Sequence, residues 1–598
     1  QAWGRIGIME RTKELIYLTA EQKFELWLAE VPEDTDIGRE LCRIQQEPAE
    51  IQSRFGGDLT FGTAGLRGIM GAGTDRMNVY TVRRAALAYG QYIKAADLPD
   101  TCAIAYDTRN HSREFAEVCA VALAEEGIHV YFYPQPAPTP MLSFAVRHLK
   151  TGGGVVMTAS HNPAAYNGMK CYGSDGCQQT DGPAAEVFRR MLEVPMLSQG
   201  KETFGDLLER GEIELLDEGI DESYYAAVLG ESLCAPLIPV SGLRVLYTPL
   251  HGTGLTPVTA LLDRLQVTYD VVAVQATPDG NFPTCPYPNP ETAAAFDAAL
   301  QQVSAPGAPD YDLILATDPD ADRMAVAVPE REESGRVTLH RFTGNEFGCM
   351  LLEYILNNRL RRGDLPKEAQ CIKSIVTTPM VRNIGDRYGC RTIDVLTGFK
   401  YIGSTILELE RQGKERQEVF AFEESCGFLK GTYVRDKDAQ VACVLAVELA
   451  AACKLDGISL KDKMERLYQS YGYYKTQVVS VELDGEAGKQ RCADFIDSLR
   501  EKPLQKVAGI EVTGMDDYRE GVSTDCRTGA QTALDFPKSN VLSFRLTGGS
   551  QVILRPSGTE PKLKVYYFAV AAQEAEAEQL RKAMTEDVAQ AMERFGIL

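Results

Sequence analysis

The 598-residue chain is too long for one hydrophobic core, and at roughly 150 residues per domain it divides into about four. Hydrophobic residues at 44% and charged residues at 24% are an ordinary globular balance, which excludes a disordered chain. With 62 Lys and Arg against 84 Asp and Glu, the net charge of -22 excludes the broad basic surface that nucleic acid or an anionic membrane requires, while a small anion held by a few converging cations stays open.

In chain order, residues 1–8 lack the apolar stretch of a signal peptide, and Met9 reads as the native start. Helical patterns at 19–28 and 36–46 lead to a glycine-rich loop, FGTAGLRG at 61–68. Helices are then expected over 79–96 and 114–126, with short apolar strands at 102–106, 128–133 and 154–157. A helix follows at 183–192, with Pro183 in its first turn and Asp181 ahead of it as a cap. The pattern restarts with strand 243–248, helix 255–265, strand 267–274, helix 291–302 and strand 312–316. After 336–342, helix 346–357 opens a third round, with strands near 371–376, 392–395 and 418–422 and long helices at 439–454 and 460–471. Strands alternating with helices in this way predict α/β layers, each with a largely parallel sheet. The tail differs: strands near 476–483, 541–546, 551–554 and 562–568 precede a polar helix over 573–594, an α+β module.

The division this implies is a helical extension at 1–54, then domains at 55–215, 216–335, 336–475 and 476–598. No apolar run reaches the ~18 residues of a membrane span. The 15 scattered cysteines, an odd number without Cys-x-x-Cys spacing, read as reduced thiols of a cytoplasmic protein.

Four loops carry potential chemistry, and each follows a predicted strand, where ligands of open α/β sheets bind. In TASHNP at 158–163, Ser160 sits on a polar turn beside His161, with Lys170 a short distance on. Such a serine can act as a nucleophile or carry a phosphoryl group; the alternative is a turn closed by local hydrogen bonds. In DPDADR at 318–323, Asp318, Asp320 and Asp322 stand at alternate positions and can each turn one oxygen to a hard cation. An EF-hand is excluded, because Arg323 and Pro329 stand where that loop needs Gly and Glu. In FEESCG at 422–427, Glu423, Glu424 and Ser425 offer acceptors and a donor suited to sugar hydroxyls, although paired surface glutamates are common. In RPSGTEPK at 555–562, Arg555, Ser557, Gly558, Thr559 and Lys562 can surround a phosphate, or simply form a turn.

Together, and in this order, the loops resemble those of the α-D-phosphohexomutases, which include phosphoglucomutases and phosphomannomutases. FGTAGLRG at 61–68, YDTRNHS at 106–112, YTPLHGTG at 247–254 and TGFKYIG at 397–403 extend the resemblance over about residues 55 to 570. GTYVRDKDA at 431–439 and PDGNFPTCPYPNPE at 278–291 look like the long-form branch of bacterial phosphoglucomutases and phosphopentomutase-like enzymes. EESCG departs from the sugar loop of the dual-specificity enzymes, which carries Met after the first Glu and a later His, and this favours glucose over mannose phosphates.

The resemblance implies an α/β protein with three similar mixed α/β domains and a C-terminal α+β domain around a central cleft. It implies an isomerase in which Ser160 carries a phosphate and Mg2+ is held by Asp318, Asp320, Asp322 and a phosphoserine oxygen. Glucose 1-phosphate and glucose 6-phosphate would interconvert through glucose 1,6-bisphosphate. Arg67, Lys170 and Arg323 match positions near the transfer, with Lys170 the expected general acid/base through a lowered pKa and His161 a second candidate. Glu423 and Ser425 would bind the sugar, while Arg555, Ser557, Gly558, Thr559 and Lys562 would grip the distal phosphate. The partner is a small sugar phosphate, not nucleic acid or membrane, and the protein a monomer or homodimer. A phosphopentomutase, phosphomannomutase or sugar-bisphosphate synthase would share these loops, and a magnesium phosphatase, the chemical alternative, would release free phosphate instead of isomer. A non-catalytic phosphosugar-binding protein would be expected to have lost Ser160 or the aspartates.

Overall fold

The computed structural model describes residues 18–61, 65–483, 485–556 and 562–598, so the expectations placed on residues 1–8 and Met9 lie outside it. The described residues group into two compact units. The first takes the chain as far as Gly344 together with Phe399–Glu418 and Ser425–Leu455; the second takes Asn345–Gly398, Val419–Glu424 and the chain from Asp456 onward.

The first unit opens on helix Ala20–Glu30, where Thr19 and Gln22 form a capping box. Helices Asp36–Ile44 and Pro48–Phe55 follow, the latter with a proline in its first turn and not anticipated from the sequence. Trp27, Phe24 and Phe55 make edge-to-face contacts in a small core that also takes in Ile51 and Met196. Glu40 ties this opening to what comes next, accepting from the Ala72 amide at 2.7 Å and from Arg54 at 2.8 Å.

The first sheet is built from β1 (Gly65–Ile69), β2 (Thr101–Tyr106), β3 (His129–Phe132), β4 (Gly153–Met157), β5 (Tyr166–Gly173) and β6 (Ile213–Leu215), in the order β1-β5-β4-β2-β3-β6. After Thr101, TCAIAY and GGVVM are buried without alternation, as parallel strands covered on both faces are. β5 is antiparallel to β4, and β1 antiparallel to β5. Gly65 permits that last pairing: at φ +153° it lies so close to the Met169 carbonyl that a Cβ would sit 1.9 Å from its oxygen.

The second sheet repeats the plan with β7 (Arg244–Thr248), β8 (Thr268–Val271), β9 (Leu313–Thr317), β10 (Met324–Arg331) and β11 (Val337–Arg341), ordered β11-β10-β9-β7-β8. β7, β8 and β9 are parallel, and β10 and β11 are antiparallel. The expectation of largely parallel sheets is therefore corrected to mixed sheets. In each, a functional loop joins a buried parallel strand to an antiparallel return strand, β4 to β5 and β9 to β10.

In the second unit β12 (Gln370–Ser374) pairs parallel with β13 (Arg391–Val395), and β14 (Glu418–Glu423) lies beside β12. After β15 (Gly427–Leu429), which belongs to the first unit, come β16 (Tyr473–Glu482), β17 (Lys506–Val507), β18 (Ile510–Asp517), β19 (Val522–Asp525), β20 (Gln531–Ala533), β21 (Leu542–Leu546), β22 (Gln551–Pro556) and β23 (Lys562–Ala571). These last eight form an antiparallel sheet, β16-β23-β22-β21-β18-β19-β20, with β17 on β18. Leu563, Val565, Tyr567 and Ala569 alternate onto the face that buries Phe495 and Ile496 of helix Gly485–Glu501 and Met584 of helix Glu574–Glu593. This is the α+β module read from the tail.

Three boundaries differ from the sequence reading. Strand 267–274 ends at Val271, because the chain turns into the short helix Ala273–Ala276 so that buried Gln275 can accept from Thr248. Helix 291–302 shrinks to a 3-10 turn, Ala294–Phe296, and helix Asp297–Val303, since Asn289 captures the Glu291 amide in a turn. Helix Asp181–Glu193 has Thr180, not Asp181, at its cap position; the Asp181 carboxylate accepts from Lys400 and Tyr401 instead. No helix of the described residues is long and apolar enough to cross a membrane.

Helix Ala439–Leu455 is apolar nearly all round and buried for most of its length. Asp438 caps it, accepting from the amides of Gln440 and Val441 and from the hydroxyls of Tyr224 and Tyr433. Complete burial nevertheless lifts its carboxyl to about 6. The folded protein thus holds this proton more tightly than the unfolded chain does. The stability it brings is full below the ordinary aspartate range and is lost as pH rises through about 6. Asp438→Asn lacks this titration. Between pH 7.5 and 4.5 the difference in unfolding free energy should move by ~2–3 kcal/mol in favour of the wild type. Thermal unfolding of both proteins across that range checks it; parallel curves would refute it.

Candidate active site

The turn after β4 is built around Ser160. Thr158 closes it by accepting from the Ser160 amide at 2.8 Å, and Ser160 takes the left-handed conformation, φ +52°. Beneath it the buried Arg109 guanidinium donates to the carbonyls of Ser160, Asn162, Pro163 and Tyr166. Asp107, at 3.3 Å, pairs with that guanidinium. The turn is therefore fixed from inside by one arginine, and the serine side chain is left to point elsewhere.

It points at the loop after β9. Ser160 Oγ donates to Asp318 Oδ2 at 2.8 Å, across 158 residues of sequence. Asp318, Asp320 and Asp322 are all buried, and one carboxylate oxygen from each lies within 4.8 Å of the others. Burial and the two neighbouring carboxylates push the Asp318 carboxyl well up. Asp320 goes the other way: burial opposes its charge, but Lys170 at 2.7 Å and Thr139 at 2.8 Å hold it ionised. Asp320 Oδ1 and Asp322 Oδ1 are buried without a hydrogen-bond partner among the described residues. Two orphaned carboxylate oxygens converging with a third acid are costly alone. They are the donor set that a hard divalent cation takes.

Lys170 lies on β5, two residues along from Gly168, which faces Arg67 on β1. Its expected lowered pKa is corrected. Burial does press it down, but Asp320 and Asp322 outweigh that, so the ammonium is held above its ordinary range. His161 behaves differently. Burial first, then the charges of Arg323 and Arg67, push its imidazole well below its usual range, so it is neutral. Its Nδ1 is 3.2 Å from Ser160 Oγ. Arg323 donates its amide to Asp318 at 3.1 Å, and its side chain pairs with Glu291 at 2.9 Å.

The sequence reading missed a further cation. Lys437, from the RDKD segment, reaches Asp322 at 3.2 Å and Asp436 at 3.0 Å, and Asp436 accepts from Tyr172 at 2.6 Å. Thr139, which holds Asp320, was missed as well. GTYVRDKDA had been noted only as a branch marker; its signal was a charge run directly before the most apolar helix pattern in the chain.

In the second unit, Glu423 is buried at the end of β14 and accepts from the Gly398 amide at 2.8 Å. Glu424 accepts from Ser374 and Thr377, which makes it a strut of the loop. Burial pushes the hydroxyl of Tyr566 up, the charges of Glu424 and Glu423 add to that, and Arg555, at the end of β22, opposes it. Those two loops therefore share one neighbourhood. Lys562 opens β23 and pairs with Glu482 at 3.2 Å. Ser425 belongs to the first unit, and Ser557, Gly558 and Thr559 lie outside the described residues.

Family models described as phosphoglucomutase/phosphomannomutase match the chain four times. Alpha/beta/alpha domains I, II and III match residues 58–195, 222–332 and 343–471, and the C-terminal domain matches 505–587. A phosphoglucomutase of Staphylococcus aureus (strain MSSA476) is 36% identical over 533 residues, covering 87% of this chain and 91% of its own. Among solved structures, a phosphoglucomutase/phosphomannomutase family protein of Burkholderia thailandensis superposes with a TM-score of 0.64 at 17% identity, covering 90% of this chain and 98% of its own. The open form of the Paramecium phosphoprotein parafusin, titled a phosphoglucomutase, gives 0.67 at 15% identity, covering 90% and 95%.

Proposed function

The chain belongs to the phosphoglucomutase/phosphomannomutase family, and on that premise we propose that it is an isomerase interconverting glucose 1-phosphate and glucose 6-phosphate through a phosphoserine at Ser160. The observation that carries this reading is the approach of Ser160 Oγ to Asp318 Oδ2 at 2.8 Å, within a buried cluster of three carboxylates and two lysines.

Asp318, Asp320, Asp322 and an oxygen of the serine phosphate would hold Mg2+, whose chemistry is to neutralise charge on the moving phosphoryl group. The rest falls to the chain. The phosphate on Ser160 passes to the free hydroxyl of the sugar phosphate; its bond to Oγ breaks as the bond to the sugar oxygen forms. The sugar bisphosphate turns over, and its other phosphate returns to Oγ. Lys170, Lys437 and Arg323 offset the negative charge gathered there. As the bond to the sugar oxygen forms, the sugar hydroxyl gives up a proton and the freed Oγ takes one up; neutral His161, with Nδ1 3.2 Å from Oγ, is placed to pass it, while Lys170 stays a cation. Arg109 fixes the turn, while Arg67 faces the transferring phosphate.

Glu423 and Ser425 bind the sugar hydroxyls, and Arg555, Ser557, Gly558, Thr559 and Lys562 take the phosphate that is not being transferred. The working species is a monomer or homodimer in the cytoplasm, a reading supported by fifteen scattered cysteines without Cys-x-x-Cys spacing. Coupled assays with glucose, mannose, ribose and N-acetylglucosamine 1-phosphates test the substrate; a preference for any but glucose would overturn that part. Loss of one charged contact to the distal phosphate, Arg555→Ala, should cost ~1.5–3 kcal/mol, a tenfold to hundredfold rise in KM. Phosphorylation of Ser160 should survive in that variant. An unchanged KM would remove Arg555 from the phosphate grip.

A further inference from the structure

Four residues of the segment 278–291 touch residues that line or support the site. Asn281 hydrogen-bonds Asn110 at 2.9 Å, the Phe282 ring lies 4.9 Å below the Arg109 guanidinium, and the Tyr287 ring meets the His161 imidazole edge-on at 5.7 Å. At its end, Glu291 Oε1 accepts from Arg323 Nη1 at 2.9 Å. The segment is itself anchored. His251, buried at φ +61°, bonds the Thr277 carbonyl and the Thr284 hydroxyl through its two ring nitrogens. The Glu291 amide donates to Asn289 at 3.0 Å, and Arg341 donates to the Glu291 carbonyl at 3.1 Å.

Arg323 follows Asp322 directly in the chain, and its Nε is 3.7 Å from Asp322 Oδ1. Three buried carboxylates draw that guanidinium inward, onto oxygens needed for a cation. Glu291 is the negative charge that draws its other end outward. We propose that Glu291 is a positioning residue: it holds the Arg323 guanidinium at the edge of the aspartate cluster, facing the phosphoryl group, instead of letting it close onto Asp322. This rests on the phosphoryl-transfer reading of the same site. A carboxylate held by its own backbone contacts is suited to the task, because its partner's long side chain otherwise has several competing acceptors.

The test compares Glu291→Ala, Glu291→Gln and Arg323→Ala, alone and combined, with wild-type turnover measured first. Absence of mutase turnover in the wild type would count against the proposed function, not against the role of Glu291. Glu291→Ala should lower kcat about tenfold to a hundredfold, the loss of one charged hydrogen bond, with KM changed less than ~3-fold. Glu291→Gln, which still accepts a hydrogen bond, should recover most of that loss. Arg323→Ala with Glu291→Ala should be no slower than Arg323→Ala alone, because both remove one device. Crystal structures give an answer independent of activity: in Glu291→Ala the Arg323 guanidinium should move onto Asp322. An undisplaced guanidinium, a kcat within twofold of wild type, or additive losses in the double variant would each overturn the proposal.

Discussion

Ser160→Ala is expected to lose turnover by at least ~10^4-fold, the scale seen when an enzyme's nucleophile is removed outright. The same variant should take up no phosphate from a sugar bisphosphate. Three features make the expectation sharp. Oγ is the atom aimed at Asp318, at 2.8 Å. The turn that holds it is fixed through backbone groups, by Thr158 and Arg109, so it outlasts loss of the hydroxyl. And alanine meets the same left-handed backbone that serine already tolerates. Ser160→Gly, which relieves that conformation, should be equally inactive. Coupled turnover and intact-protein mass after incubation with the bisphosphate measure both effects. Near-normal turnover in either variant would place the nucleophile elsewhere.

The second large effect is expected at Asp320. Its Oδ2 accepts from Lys170 and Thr139, while its Oδ1 has no partner among the described residues. Asp320→Ala thus removes a cation ligand and the nearest counter-charge of a buried lysine together. Several kcal/mol of charge stabilisation go with the ligand, so turnover should fall at least ~10^3-fold even at saturating Mg2+. Lys170 then keeps Asp322 at 3.5 Å as its nearer remaining partner, and ~3–5 kcal/mol of stability should be lost as well. Asp320→Asn separates the two effects: it still accepts from Thr139 and should be similarly inactive but nearer wild type in melting temperature. Titration with Mn2+ reads the site without turnover. Affinity should weaken by more than the ~10–100-fold that an outer contact is worth. Unchanged Mn2+ binding in both variants would refute the triad as the cation site.

Much of this site was legible because its parts are short and local. A serine on a polar turn, aspartates at alternate positions, and loops placed directly after apolar strands are all patterns of a few residues. What the sequence concealed is long-range. Nothing near Lys437 tells that its ammonium reaches Asp322, since RDKD reads equally well as a solvated charge run. Thr139 lies in a Pro-rich stretch that reads as a loop. Lys170 was misjudged because its pKa depends on which charges surround it, and aspartates 150 and 152 residues away decide that. Among the elements, β5 and β10 were not foreseen as antiparallel returns. β5 is buried on both faces and carries Gly168, so it lacks the alternation that marks a strand. The α/β and α+β character of the elements was legible, because it follows from the sequence of periodicities alone.

The segment Ser425–Leu455 belongs to the same compact unit as Ser160 and delivers Lys437, although two segments of the second unit, Asn345–Gly398 and Val419–Glu424, are encoded before it. That order bears on how the protein is made. At ~5–20 residues per second, a ribosome reaches Lys437 roughly 15 to 55 seconds after Ser160. Until then the nascent chain has Tyr172 without Asp436 and, once each has been made, Tyr224 without Asp438 and Asp322 without Lys437. The first two sheets can form as they emerge, but the charge balance at their loops waits for the distant segment. A chain released before Leu455 should therefore carry native-like strands around an electrically incomplete centre, and be a client for chaperones or proteases instead of a smaller working enzyme.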